Sequence, residues 1–241
     1  MGSGVFKKFW ALPLILVFSA CAYAQQAPRE NADIPAPPVE QASFHQLMFA
    51  NEDFAVLSNR YPPGGDSGFH THYRDIFYVV IQSASSSGQR PGQPLTATPS
   101  VAVGTAGYNA IGAEPRVHRI VNGDEGPSHF IVVELRRANP AGDAVSSREA
   151  APQYEQIVDN ERMRAWRLIL APGQFVPSIS QGGEGLRVVV RGGLLTTTTA
   201  GVPDQTLLVQ AGDFAMQSSG STRALRNSGT ETIELVEIEL K

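Results

Sequence analysis

Along most of the chain, apolar and polar residues change places over short distances. Segments rich in Val, Ile, Leu, Thr and aromatic side chains are closed off by Gly, Pro, Asn or Ser. This pattern predicts strands at 54–61, 76–82, 100–103, 117–121 and 130–136, and again at 163–170, 186–191, 194–199, 206–210 and 232–240. Beyond residue 24 no apolar stripe of helical period is long enough to form a helix. Residues 84–100 (ASSSGQRPGQPLTATPS) are low in complexity and read as a loop. Many short strands set between turn residues point to an all-β sandwich or barrel. Composition supports this: the chain has 23 Gly and 17 Pro, and 17% charged residues against ~25% in an ordinary soluble domain.

The first 24 residues have another character. Lys7 and Lys8 precede an apolar run from Phe9 to Ala20, too short for a bilayer-spanning helix of about 20 residues. Ala22-Tyr23-Ala24 follows as a small-x-small cleavage site. Together they predict a secretory signal peptide cut after Ala24, and therefore a periplasmic or secreted protein. The alternative, a lipid-modified Cys21 after Ser19-Ala20, is disfavoured by Phe18. Cys21 is the single cysteine, so neither a disulfide within the chain nor a Cys-rich zinc site can form. Residues 25–42 (QQAPRENADIPAPPVEQA) hold four prolines and no large aromatic, and read as a solvated linker.

The remainder contains one plan twice. Asn51-Glu52 and Pro63-Gly64 match Asn160-Glu161 and Pro172-Gly173, each 109 residues apart. Gly107, Asn122, Glu134 and Leu135 match Gly212, Asn227, Glu239 and Leu240, each 105 apart, so the second copy has lost four residues in between. Two domains are expected, at 43–137 and 153–241, joined by an Ala/Pro/Gly/Ser-rich linker at 138–152.

The formal charge of −4 and pI near 5.7 give no basic footprint for nucleic acid. Chemistry concentrates in histidine. His70-Thr71-His72 places two imidazoles on one face of a strand, roots about 6.6 Å apart, able to converge on one metal. His118, on another predicted strand, is the candidate third ligand, and Asp75 could add an oxygen. Such a set suits iron, manganese, zinc, cobalt or nickel without choosing among them. His45 and His129 read as ordinary structural histidines. The Gly-rich stretches read as turns, since none lies between a strand and a helix as a phosphate loop requires.

Gly64-x5-His70-x-His72 with Asp75-Ile76-Phe77-Tyr78-Val79-Val80 resembles the first motif of the cupin superfamily, and Pro115-x-x-His118-x-x-x-Asn122 resembles the second. The resemblance covers both copies, as in two-domain bicupins. It implies two tandem jelly-roll β-barrels, with His70, His72 and His118 holding one divalent metal in the first. The pattern departs at Asp75, a shorter acid that stands one residue early in the place of the usual ligand Glu. Its other expected role is a salt bridge with Arg74 or a nearby Arg.

In the second copy the corresponding residues are Ile179, Gln181, Glu184 and Arg223, so that barrel is expected to bind no transition metal. A Glu184–Arg223 pair is expected where the first barrel holds its ion. The leading functional expectation is a metal-dependent enzyme of oxygenase, isomerase or decarboxylase type acting on a small organic substrate. The alternative is a non-catalytic periplasmic binding or sensing module. No membrane span is expected. Barrels of this kind pair through their sheets, either as a homodimer or as the two copies within one chain.

Overall fold

In the computed structural model, residues 36–137 and 146–241 are described. The signal-peptide reading, Cys21, residues 25–35 and the linker stretch 138–145 lie outside them. The first half forms β1 (His45–Ala50), β2 (Phe54–Tyr61), β3 (His70–His72), β4 (Ile76–Gln82), β5 (Ser86–Gln89), β6 (Thr96–Thr98), β7 (Ala106–Asn109), β8 (Arg116–Asn122) and β9 (Ser128–Leu135). The second forms β10 (Tyr154–Asp159), β11 (Met163–Leu170), β12 (Phe175–Ser180), β13 (Gly185–Arg191), β14 (Gly193–Thr198), β15 (Gln205–Val209), β16 (Phe214–Gln217), β17 (Thr222–Asn227) and β18 (Ile233–Leu240).

Each half is a pair of antiparallel sheets. The first has orders β1-β2-β9-β4-β7 and β3-β8-β5-β6; the second has β10-β11-β18-β13-β16 and β12-β17-β14-β15. Adding nine to each strand number converts one half into the other. Even the register break in β1 between Leu47 and Phe49 recurs in β10 between Gln156 and Val158. The repeat reaches further back than the sequence pattern suggested. A 3-10 turn at Val39–Gln41 precedes the first barrel and its counterpart at Arg148–Ala150 precedes the second.

Side-chain alternation explains why β4 is almost wholly apolar. Phe77, Val79 and Ile81 face outward into one hydrophobic cluster while Ile76 and Tyr78 face into the barrel. The outward cluster also takes Leu186, Val188 and Val190 of β13 and Val236, Ile238 and Leu240 of β18. The five-stranded sheets of the two halves thus pack face to face around a common core. At roughly 1.5–3 kcal/mol per buried large aliphatic or aromatic side chain, this contact holds the barrels as one body.

Several expectations need correction. The strand placed at 100–103 is irregular chain leading into a turn at 103–104, and the pairing strand is β7. The loop at 84–100 contains the β5–β6 hairpin, whose Ser, Gly, Gln and Thr side chains lie outside any apolar core and so show no apolar alternation. The structural partner of Gly212 is Gly104, not Gly107. Both take positive φ (+86° and +89°), and their N–H groups donate to the matching carbonyls of Val80 and Val189. Neither segment read as a linker is only a spacer. Val39 is buried against Leu57, Ile76 and Val132, and Arg148 is completely buried in the second barrel.

Candidate metal centre

β3 and β8 pair so that His70 lies directly opposite His118, with Val117 opposite Thr71 and Arg116 opposite His72. The period of two then sends His70, His72 and His118 to one face. Their ring centroids are 5.3 Å (His70–His72), 4.5 Å (His70–His118) and 5.1 Å (His72–His118) apart, and one ligand atom from each lies within 4.8 Å of the others. His70 and His72 are buried and His118 is half-buried.

Their protonation states suit ligation. Burial, reinforced by the neighbouring imidazoles, pushes His70 down to about 3 and His118 to about 2. Both are neutral at pH 7, as metal ligands must be. The Nδ1 of His70 lies 3.1 Å from the Gly68 carbonyl, which can only accept; Nδ1 therefore carries the proton and Nε2 the lone pair. Nε2 of His70, Nε2 of His118 and Nδ1 of His72 are buried without a hydrogen-bond partner. Buried ring nitrogens without partners are costly unless another group meets them. A divalent transition metal fits that donor set.

Asp75, expected as a fourth ligand, is not in this group. Oδ1 accepts from the Ile111 and Gly112 N–H groups at 2.8 and 2.7 Å; Oδ2 accepts from Tyr108 Oη at 2.6 Å and Arg162 Nη1 at 2.7 Å. Burial alone would raise this carboxyl, but the donors outweigh it and hold it below the usual carboxylate range. Arg162 comes from the second half, so Asp75 ties the barrels together; the alternative expectation of an arginine partner gave its role.

Two site residues had no sequence signal. Glu134 on β9 is fully buried, with Oε1 3.6 Å from His72 Nδ1 and Oε2 without a hydrogen-bond partner. It stands opposite Ile76, one residue beyond Asp75, so the acid reaches the site from a neighbouring strand. His45, read as an ordinary histidine, lies with its ring centroid 4.6 Å from that of His70. Its Nδ1 donates to Ser43 O (2.8 Å), leaving Nε2 to accept from Tyr61 Oη at 3.1 Å. Burial pushes it down to about 4. His129 bonds Ser58 Oγ at 3.0 Å, away from the three-histidine group, and is structural as expected.

A cavity of about 200 Å³ adjoins the histidines. His45, Tyr61, His72, Tyr78 and His118 line it together with Ile76, Ile120, Phe130 and Val132. The motif asparagine, Asn122, takes no part in ligation. Its Nδ2 donates to the Pro62 and Gly126 carbonyls, and Asn227 repeats this with Leu170 and Glu231.

The second barrel corrects the expected Glu184–Arg223 pair. Glu184 accepts from the Ser219 N–H (3.0 Å), while Arg223 Nη2 lies 3.5 Å from both Glu237 Oε1 and Gln181 Oε1. Glu237 is the hub. Arg148 Nε and Arg187 Nε donate to it at 2.8 Å each, and Tyr154 Oη at 3.0 Å. Burial alone would raise the Glu237 carboxyl; the three arginines overcome this and hold it below the carboxylate range. The strand registers match Tyr154 to His45, Arg187 to Tyr78 and Glu237 to Val132. Where the first barrel has its histidines, the second has a buried ionic cluster.

The nine-strand plan, used twice, with His-x-His on β3 and a third histidine facing it from β8, defines a tandem cupin fold with one three-histidine centre. No protein-family profile matches the chain, and no curated protein matches it in sequence. Solved structures do match in fold. AerE from Microcystis aeruginosa is 14% identical, covers 86% of this chain and 98% of its own, and superposes with a TM-score of 0.60. A cupin 2 conserved barrel domain protein from Leptotrichia buccalis is 10% identical over 86% of this chain and 92% of its own, with a TM-score of 0.51. Oxalate decarboxylase from Lactobacillus farciminis, solved with formate, is 13% identical over 79% and 77%, with a TM-score of 0.53. The architecture is therefore that of two cupin barrels in tandem.

Proposed function

We propose that this chain is an exported bicupin whose first barrel holds one divalent transition metal on His70, His72 and His118 and acts on a small organic molecule in the adjoining cavity. The observation that carries the reading is the three histidines, each with a ligand atom within 4.8 Å of the others, with Nε2 of His70 and of His118 buried and without partners. Held by His70, His72 and His118, such an ion would supply Lewis-acid chemistry. The chain does the rest. Gly68 fixes the His70 tautomer, and Glu134 places a negative charge beside His72. Ile76, Ile120, Phe130 and Val132 keep the cavity wall apolar and favour a small substrate body. His45 Nε2 on that wall is occupied by Tyr61 Oη, so the pair offers a substrate a neutral polar contact and not a free base. Export rests on the leader pattern of residues 1–24; among the described residues no helix is long and apolar enough to cross a membrane.

A non-catalytic binding role is the second reading. It is favoured by the engagement of Asp75 elsewhere, which takes that carboxylate away from the histidines and leaves Glu134 beside His72.

Elemental analysis of the purified protein beside three variants tests the metal site. Close to one equivalent per chain is expected, lost in His70→Ala and His118→Ala and retained in Asp75→Asn. Absence of metal after supplementation with iron, manganese, zinc, cobalt and nickel would overturn it, as would loss in Asp75→Asn alone.

A further inference from the structure

We propose that the second barrel is a metal-free binding site for a small organic carboxylate, seated on Arg187 and Arg223. Both guanidinium groups are buried, at 5% and 7% exposure, and both side chains line a cavity of about 810 Å³. That volume lies within the range of roughly 300–1,000 Å³ typical of small-molecule sites. Arg187 Nη2 and Arg223 Nε and Nη1 have no hydrogen-bond partner. The internal charges do not explain them: one carboxylate, Glu237, is shared by Arg148, Arg187 and Arg223. Arg148 is further satisfied by Glu239 at 3.1 Å and Gln181 at 2.6 Å, so the shortfall falls on the two arginines at the cavity.

A carboxylate meets this need, since its two oxygens can take paired N–H groups from a guanidinium. Val189 and Leu195 on the same cavity wall suit a hydrocarbon body rather than a bare inorganic anion. The one acid on the wall, Asp213, is engaged by the Gln210 N–H at 2.7 Å. Gln46, Met48, Ser58, Arg60 and Ile131 of the first half complete the wall of this cavity, and its two buried arginines have counterparts in the first cavity through the repeat. Arg187 stands where Tyr78 lines the first cavity, and Arg223 where His118 does. The barrel has exchanged a metal-ligand set for fixed positive charge. Consistent with a missing counter-charge, burial draws the Arg223 guanidinium below its usual range, with Arg187 and Arg148 opposing the help of Glu237.

Calorimetric titration of the purified full-length protein with benzoate, and separately with inorganic phosphate, at pH 7 and constant ionic strength tests this. Saturable benzoate binding is expected, weakened at least tenfold in Arg223→Gln and in Arg187→Gln and unchanged in His118→Ala. Without ligand, Arg223→Gln is expected to melt no lower than the parent, because it removes an under-compensated buried cation. Four results would each overturn the proposal: no saturable benzoate binding, binding of phosphate alone, benzoate binding lost only in His118→Ala, or collapse of Arg223→Gln, which would make that guanidinium purely structural.

Discussion

Histidine carries three different duties in this chain, and local contacts decide which. His70 is fixed by Gly68 and turns a bare Nε2 to the cluster; His45 faces Tyr61 beside it; His129 bonds Ser58 and packs against Gly212. The His-x-His spacing made His70 and His72 legible, because residues two apart on a strand share a face. His45 and Glu134 were not legible, since their approach to the site depends on how β1 and β9 pair across the sheet. His129 also leads to a pH prediction. Burial and the charge of Arg60 push it from 6.5 down to about 4. Between those values the unfolded chain binds a proton that the folded chain refuses, so stability falls as pH drops from about 6.5 to 4 and this contribution is flat below. Urea unfolding of His129→Gln at pH 7, 5 and 4 is expected to show a shallower loss than the parent. An equal loss would remove His129 as a cause.

At the scale of elements, strands with a strong apolar pattern were readable. β2 and β11 fall on the expected bounds because their residues feed a core. β5 and β6 escaped notice because a hairpin that is half-buried on one strand and exposed on the other has no buried apolar face to encode. The 3-10 turn at Arg148–Ala150 escaped for another reason: its Ala, Ser and charged surroundings have the composition of a linker, and only the repeat frame shows that Arg148 takes the place of Val39. That exchange goes with Val132 becoming Glu237 and Leu57 becoming Trp166, whose ring lies 5.0 Å from the Arg148 guanidinium carbon. Removing one partner of a buried pair leaves the other charge stranded. Arg148→Ala is accordingly expected to cost roughly 3–5 kcal/mol, measured by chemical denaturation. A change below about 1 kcal/mol would mean that Arg187 and Tyr154 satisfy Glu237 unaided.

Across the whole molecule, duplication has separated two chemistries on one backbone plan. The internal repeat made the two-barrel organisation legible, and the loss of histidines in the second copy made the barrels unequal. Face-to-face packing through β4 and β13 was not written as a motif; it follows from strands apolar on both sides. Asp75 is the clearest case of position misleading chemistry. It stands near a ligand's place in sequence, yet a loop and Arg162 from the other half claim both of its oxygens. The central claim is that one barrel holds a metal and the other does not. Anomalous diffraction from crystals of the metal-loaded protein, collected at the absorption edge of the metal found by elemental analysis, tests this most directly. A single peak per chain is expected, bonded to His70, His72 and His118, with none beside Arg223. A peak in the second barrel, or one held by Asp75 in place of the histidines, would contradict the account.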